Sequence, residues 1–355
     1  MKPGSKNIKL QEDYRRYVAK RAGFIICLIT LVILTFFYAL NIGSFSFSFK
    51  TIFKALSGER SKVALVLWNI RLPRIMGALF VGAGLAVSGC VMQCILRNPL
   101  ASPFTMGISH GAVFGASLAI GTLGAGSVES TGKIFINNPY IVVIFAFSGS
   151  LFGMLVVLTL AKLKGLGPGA MVLAGVAMGS LFTAATTLIQ YFATEQQLAA
   201  MVYWSFGDLG RVIWREIWII AGIFLFCFVY FFLKRWDYNA MESGDEVAKS
   251  LGVKVERVRL TGALFASLIT GVAVSLVGII GFIGLICPHL IRLLIGGDHR
   301  FLIPASAIFG ALLLLTSDSL ARTVVAPVIL PVGVLTSFMG APMFIFLLIK
   351  AKGEI

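Results

Sequence analysis

Long apolar runs without any charged side chain recur along the whole chain. Seven of them have about the length of a membrane span, and they are Ala22–Phe49, Ile75–Leu96, Asn98–Val128, Ile134–Ala161, Gly165–Thr194, Ile217–Leu233 and Thr323–Ile349. A bilayer core of about 30 Å is crossed by about 20 helical residues. The runs lack the strict apolar and polar alternation of a membrane β-barrel. The pattern therefore predicts an all-α polytopic membrane protein.

Two further apolar runs complete the pattern. Phe301–Ser317 is long enough for a span, whereas Leu260–Ile291 is long for one helix and short for two. The middle of Leu260–Ile291 holds three glycines and then Pro288, which permit a tight reversal or a break. Two short helices fit if this run is extended to about Val255 and Ile295.

Basic residues decide how often the chain crosses the membrane. Lys234–Arg259 holds six basic residues and Tyr14–Arg21 holds four, and Lys350 and Lys352 lie at the C-terminus. Cytoplasmic loops of membrane proteins are rich in Lys and Arg, so these three segments are predicted to be cytoplasmic. An even number of spans must then separate them. The run Leu260–Ile291 therefore crosses twice, and we expect ten transmembrane helices.

Composition agrees with a membrane protein and excludes a soluble one. Hydrophobic residues make up 58% of the 355 residues, charged residues only 13%, and the mean hydropathy is +0.94. A soluble domain has about one-quarter charged residues. The net charge of +15 is attributed to basic cytoplasmic loops, and no nucleic-acid partner is predicted.

Chemistry-bearing residues are scarce within the predicted spans. Asp318 lies near the end of a span, and His110 and His289 are best read as hydrogen-bonded packing residues. The chain has no P-loop pattern, no H-E-x-x-H and no Cys-His zinc spacing. Cys90 and Cys94 lie one helical turn apart, but no histidine or carboxylate is near them in sequence. We expect no catalytic residue, no metal site and no cofactor.

This scarcity limits how the protein could use energy. An ion-driven carrier needs titratable groups in mid-membrane, and a membrane enzyme needs a catalytic constellation. Neither is visible, so both alternatives are disfavoured. If the protein moves a solute uphill, the energy must come from a partner.

Arginines mark the predicted outer face. Arg71 and Arg74 flank Pro73 at the start of a span, and Arg322 follows the end of another. Two readings are open: the side chains extend to lipid headgroups, or their guanidinium forks bind carboxylates of a partner.

The cytoplasmic segment Met241–Leu260 predicts a short helix. Ser243 or Gly244 could cap it, acidic residues fill its first turn, and Gly252 suits its C-terminal end. Its small apolar face comprises Val247, Ala248 and Leu251. Two readings are open here as well: a helix that enters a groove on another protein, or an ordinary solvated loop helix.

Several stretches together resemble one known family. They include "RLPRIMGALFVGAGLAVSGCVMQ", "NPLASPFTMGISHGAVFGA", "YWSFGDLG", "GFIGLICPHLIRLLIGGDHR" and "LPVGVLTSFMGAPMFIFLL". In order and spacing they are similar to the FecCD family, the permease subunits of type II ABC importers for iron-siderophores, haem and vitamin B12. The resemblance covers about Ala22–Lys352.

The resemblance implies an assembly and a location. It implies the ten-helix type II permease fold and a second permease subunit, expected as a homodimer in the lipid bilayer. It also implies two cytosolic ATP-binding subunits and an extracellular or periplasmic substrate-binding protein. The chain then divides into a cytoplasmic N-terminal segment, 1–21, and a permease domain, 22–352, with a cytoplasmic coupling loop at 235–258. The expected location is a prokaryotic cytoplasmic membrane, with both termini in the cytoplasm.

The resemblance also assigns roles to particular residues. Docking of the binding protein falls to Arg71, Arg74 and Arg322. Coupling to the ATPase falls to Glu242, Gly244, Asp245, Glu246, Ala248, Leu251 and Gly252. The cytoplasmic gate is expected at the turn Gly167, Pro168 and Gly169. This turn has no hydroxyl group, so it must act through its backbone and its shape.

The substrate implied is a metal chelate carried by alternating access. An iron(III)-siderophore complex is favoured, with haem or cobalamin (vitamin B12) as the alternative, and an ion-coupled secondary transporter is disfavoured.

Overall fold

The computed structural model describes residues 3–42, 54, 57, 61–124, 126–128, 134–136 and 138–351. Side chains are described throughout these ranges except at 3–10, 126–128, 134–136, 344 and 346–351. Residues 50–74, which the predicted topology places on the outer face, therefore lie partly outside the described residues.

Helices make up almost all of the described chain. In chain order they are α1 (Pro3–Asn41), α2 (Lys62–Ile95), α3 (Ile108–Leu123), α4 (Pro139–Leu163), α5 (Pro168–Phe192), α6 (Glu195–Ser205), α7 (Trp214–Leu233), α8 (Arg235–Glu242), α9 (Asp245–Ser250), α10 (Val255–Val277), α11 (Ile283–Ile295), α12 (His299–Ala321) and α13 (Val332–Ala351). Two short strands, β1 (Gly126–Val128) and β2 (Ile134–Ile136), form an antiparallel hairpin between α3 and α4, with Ser127 opposite Phe135.

Seven of these helices are long and apolar enough to cross a membrane, namely α1, α2, α4, α5, α7, α10 and α12. Shorter apolar segments are α3, α11 and the part of α13 from Val332 to Met343. Together they give ten apolar helices in the described chain, which confirms the predicted fold class.

The long apolar run Leu260–Ile291 does contain two helices, but they are unequal. α10 is a full span, whereas α11 has 13 residues. The break lies at the glycines, where Gly278 adopts a φ of +79° that favours glycine, and not at Pro288, which lies inside α11. The expected helix ends at Val255 and Ile295 are confirmed.

α2 lies at the centre of the bundle, and its part from Leu72 to Ile95 is buried along nearly its whole length. It packs against α7, α10, α11 and α12. Glycines allow the closest approaches: a Cβ atom at Gly82 would collide with the backbone of Gly310 in α12, and one at Gly89 with that of Gly284 in α11. Small residues of this kind let membrane helices pack without a hydrophobic force between them.

Candidate functional site

The predicted coupling segment forms two helices rather than one. α8 ends at Glu242 and α9 follows directly, because Gly244 takes a φ of +112° that few residues other than glycine adopt. Gly252 ends the segment, and its φ is +84°. The sequence predicted α9 and its two terminal glycines but not α8.

Of the three apolar residues in and directly after α9, one faces inward and two face outward. Ala248 is fully buried, whereas Val247 is 46% and Leu251 67% exposed. Glu246 is also exposed and lies 3.4 Å from the ammonium of Lys249. α9 therefore presents a small apolar surface with charges beside it, as a helix that docks on another protein would.

Arg259 connects α9 to α2 and to the turn before α5, and no role was predicted for this residue. Its Nη2 donates to both carboxylate oxygens of Asp245 at 2.8 Å. Its Nε donates to the carbonyl of Ile95 at 2.8 Å and its Nη1 to that of Leu166 at 3.1 Å. The Arg259 side chain is only 2% exposed. One guanidinium thus joins α9, the end of α2 and the turn before α5.

The only sequence signal for Arg259 was a basic residue in the first turns of a predicted span. Such a residue commonly extends toward the membrane surface. Its three partners lie 164, 93 and 14 positions away along the chain, so spacing could not reveal them. Asp245, which the resemblance assigned to the ATPase contact, directs its carboxylate inward to this arginine.

The predicted gate turn begins α5. Gly167 is extended, with φ −67° and ψ 148°, and Pro168 occupies the first helical position, where a missing N–H costs nothing. Within the described part of the chain, nothing lies within 4 Å of a Cβ added at Gly167 or Gly169. The turn is therefore an open chain reversal, and Arg259 holds the carbonyl of Leu166 just before it.

The three predicted docking arginines lie together, at the opposite end of α2. Arg74 Nε is 2.8 Å from Oδ1 of Asp318, and Arg322 Nε is 3.1 Å from Oδ2 of the same carboxylate. Arg71 donates to the carbonyl of Leu40. Asp208 adds a second carboxylate, 3.5 Å from Arg74.

Burial distinguishes these arginines from the freely projecting charges that the sequence indicated. Arg71, Arg74 and Arg322 are 5%, 7% and 8% exposed, and Asp318 is fully buried. The guanidinium groups therefore form a recessed ionic cluster between α1, α2 and α12. Asp318, which looked like an isolated carboxylate in the sequence, is the residue that holds two of them.

α5 carries an exposed polar stripe. Ser180, Thr183 and Thr187 lie on its exposed side at helical spacing and bond to carbonyls of their own helix. Beside them a cleft of about 540 Å³ separates α5 from the start of α3, and His110 lines it. Hydroxyl groups on an outward face of an apolar helix indicate contact with water or a partner rather than with lipid alone.

On the side that carries α9, Asp298 caps the start of α12. Its carboxylate accepts bonds from the backbone N–H and side chain of Arg300 and from the amide of Asn239. Burial opposes ionisation of this carboxyl, but these bonds outweigh it and lower the pKa of Asp298 to about 2. Asp298 is therefore ionised at neutral pH and joins α8 to the start of α12 through the amide of Asn239.

Ten apolar helices in the described chain, with a short helix anchored at one end of the bundle, define a polytopic membrane protein. The FecCD transport family model matches residues 31–350. The chain therefore belongs to the FecCD family of ABC importer permeases. Members of this family are transport subunits without catalysis of their own, and ATP is hydrolysed on separate subunits.

Three relatives extend over most of the chain. A protein of Methanocaldococcus jannaschii assigned as an ABC transporter permease is 60% identical over 342 residues, covering 96% of this chain and 98% of that protein. The hemin transport system permease protein of Yersinia pestis is 39% identical, and the match covers 94% of this chain and 96% of that protein. The vitamin B12 import system permease protein of Citrobacter koseri is 38% identical, and the match covers 81% of this chain and 84% of that protein.

A solved structure shares the fold. It shows an inward-facing conformation of a transporter described as of the metal-chelate ABC type, with a TM-score of 0.81 and 31% identity. The match covers 93% of this chain and 99% of that one. Membership in this family places the chain in the cytoplasmic membrane, as a subunit that works with ATPase and permease partners.

Proposed function

We propose that this permease carries an iron(III) chelate, specifically a ferric siderophore, into the cytoplasm by alternating access. Two of the similar proteins support a metal chelate, since one transports hemin and the other is described as of the metal-chelate type. Cobalamin is the second candidate, supported by the similarity to a vitamin B12 import permease.

The proposed transport mechanism is supported mainly by the hydrogen bonds of Arg259. ATP-driven closure of the two ATPases would displace α9, and Asp245 would pass that displacement to Arg259. Arg259 in turn holds the end of α2 and the turn that begins α5. A movement at the ATPase surface thus reaches the predicted gate at Gly167–Gly169 through a single buried side chain.

The second permease subunit is a second copy of this chain in our proposal. The polar stripe of α5 and the cleft beside His110 would then face the same surfaces of the other copy across a central pathway. A pathway lined by small hydroxyl groups and apolar residues suits a bulky chelate, because it offers no tight polar site that would retain it.

Docking of the binding protein belongs at the recessed cluster of Arg71, Arg74 and Arg322. The cluster and α9 lie at opposite ends of α2, and Arg74 and Ile95 are separated by about 30 Å of helix. The binding protein and the ATPase would therefore act on opposite faces of the membrane, with both termini on the side of the ATPase.

Uptake into vesicles tests the substrate. The permease, its ATPase and its binding protein would be reconstituted, and accumulation of labelled ferric siderophore, haem and cobalamin compared with ATP inside. We expect ATP-dependent accumulation of the ferric siderophore. Accumulation of haem or cobalamin alone would replace the substrate assignment and leave the transport mechanism in place.

A further inference from the structure

Three potential metal ligands converge where α2, α8 and α12 meet. The thiol of Cys94, the carboxylate of Glu242 and the imidazole of His299 each offer a ligand atom, and these atoms lie within 4.8 Å of one another. Cys94 is 2% exposed and His299 is fully buried. The Glu242 side chain is 35% exposed, so it leaves an opening on the side of the molecule that carries α9.

Asn239 fixes the protonation of the His299 ring. The Oδ1 atom of Asn239 accepts the backbone N–H of His299 at 2.7 Å and lies 3.1 Å from Nδ1 of the ring. The Nδ2 atom of Asn239 donates to Asp298 at 3.0 Å, which sets the orientation of the amide. Because Nδ1 faces an acceptor, it carries the proton, and the lone pair of the neutral ring is on Nε2.

This lone pair faces another acceptor. Nε2 of His299 lies 3.7 Å from Oε1 of Glu242, too far for a hydrogen bond, and it has no hydrogen-bond partner within the described part of the chain. A second proton on the ring would relieve the contact only by placing an imidazolium beside Arg292, which already binds Glu242 at 2.7 Å. A small cation between the two acceptors satisfies both.

We propose that Cys94, Glu242 and His299 bind a divalent transition-metal ion of the zinc class. A thiolate, an imidazole and a carboxylate form a ligand set that Zn²⁺ and its neighbours accept, with an open position for water. Ligand atoms around a tetrahedral ion lie about 3.5 Å apart, so the imidazole and carboxylate already have suitable spacing. All three ligand atoms lie within 4.8 Å of one another, so the thiol completes the site by a shift of at most about 1.3 Å.

The surroundings match those of known metal sites. A histidine ligand usually donates its other ring N–H to an oxygen, as His299 does to Asn239, and a carboxylate ligand is usually hydrogen-bonded, as Glu242 is to Arg292. The bound ion would join the end of α2, the end of α8 and the start of α12. Glu242 is the last residue of α8, so the ion would restrain the segment that leads directly into α9.

Among the described residues that line the cleft beside α5, which the proposed pathway uses, none belongs to this site. The sequence indicated no metal because Cys94, Glu242 and His299 are far apart along the chain, and only the packing of α2, α8 and α12 brings them together.

Binding of Co²⁺ to the purified full-length chain tests the proposal. Co²⁺ is a spectroscopic substitute for Zn²⁺, and a thiolate ligand gives it a near-ultraviolet charge-transfer band. The protein would carry an affinity tag without histidine. Cys94→Ala removes the thiolate ligand, and Glu242→Gln replaces the carboxylate with an amide, which is a weaker ligand. Asn239→Ala removes the oxygen that accepts the ring N–H of His299. Cys287→Ala and His289→Gln serve as matched controls, and size-exclusion profiles would verify the fold of each variant.

We expect one Co²⁺ per chain with the charge-transfer band, displaced by Zn²⁺. Cys94→Ala should abolish the band, whereas Cys287→Ala and His289→Gln should retain it. Asn239→Ala should lower the affinity about 10- to 100-fold, the usual effect of losing the hydrogen-bond partner of a metal ligand. Glu242→Gln changes a ligand itself and should lower the affinity at least as much. Absence of the band in the wild-type chain, or its persistence in a folded Cys94→Ala variant, would overturn the proposal.

Discussion

Buried arginines at the two ends of α2 have different partners and, in our account, different tasks. Arg259 satisfies two backbone carbonyls and one carboxylate, so all parts of its guanidinium are used within the chain. Arg74 and Arg322 share the buried carboxylate of Asp318 at the other end. Removing one member of a buried ion pair costs on the order of 3–5 kcal/mol because the other charge is left without compensation.

Asp245→Asn tests the link between α9 and the bundle. The amide keeps the shape of the side chain but removes the charge that holds Arg259, so we expect transport per ATP hydrolysed to fall severalfold. The measurement is uptake against ATP hydrolysis in vesicles that contain the full transporter. Glu256→Gln, an exposed carboxylate near the same surface, is the control. Unchanged coupling in Asp245→Asn would mean that Arg259 does not transmit the movement.

Arg71→Gln combined with Arg322→Gln tests the docking cluster. Loss of two positive charges from a recessed site should weaken capture of the binding protein at least tenfold, because buried charge pairs contribute strongly to protein interfaces. Surface plasmon resonance would measure it, with thermal unfolding to verify the fold. Arg215→Gln is the control, since its side chain is 63% exposed near the same end of the molecule. A folded double variant that captures the binding protein normally would contradict the docking role.

At this scale the sequence predicted residue types better than their contacts. The arginines near Pro73 and the acidic start of α9 were visible as patterns. The inward turn of Asp245, the role of Asp318 and the whole Arg259 network were not, because each depends on partners far away along the chain. A charge at the end of an apolar run looks the same whether it binds a lipid, a partner protein or another helix.

Among the helices, α2 decides how tightly the bundle can pack. Its glycines meet backbone atoms of α11 and α12, so the close approach of these helices depends on residues without a side chain. α2 also carries a π-helical segment, Leu67–Arg71, directly before Pro73. Irregular turns of this kind are frequent at functional sites, and this one ends at Arg71.

Gly89→Ala should destabilise the protein strongly. The added methyl group would collide with the backbone of Gly284, which cannot move without displacing α11. We expect a lower unfolding temperature and less monodisperse protein in detergent. Gly222→Ala in α7 is the matched control, because no described atom lies within 4 Å of its added Cβ and alanine favours a helix. Equal stability of the two variants would contradict the packing account.

Helix identity was largely predictable, but helix ends were less so. Hydropathy gives the apolar runs directly, and charge bias correctly required the run Leu260–Ile291 to contain two helices. The position of the break depended on which residue adopts a left-handed backbone, and the glycine, not Pro288, did so. The helix α8 was missed because its polar sequence gives no apolar periodicity long enough to recognise.

At the scale of the whole molecule, the two proposed partner contacts are separated by the length of α2. The arginine cluster lies at one end, and α9 with its Arg259 network lies at the other. Between them the described part of the spans offers few titratable groups. Such an arrangement suits a subunit that is moved by proteins at both faces and has no energy source of its own.

The sequence predicted a transport subunit that depends on partners for energy, because it shows no catalytic motif and few charges within the apolar runs. It could not predict that Arg259 joins α9 to α2 and to the turn before α5, or that Cys94, Glu242 and His299 meet. Those features arise from the packing of distant helices, which hydropathy does not encode.

The most direct test of the account is solute accumulation by the purified permease in sealed vesicles. Without ATPase and binding protein, we expect no accumulation of ferric siderophore, haem or cobalamin under an imposed proton or sodium gradient. Addition of both partners and ATP should produce accumulation. Uptake driven by an ion gradient in the permease alone would contradict the central claim that its energy comes from a partner.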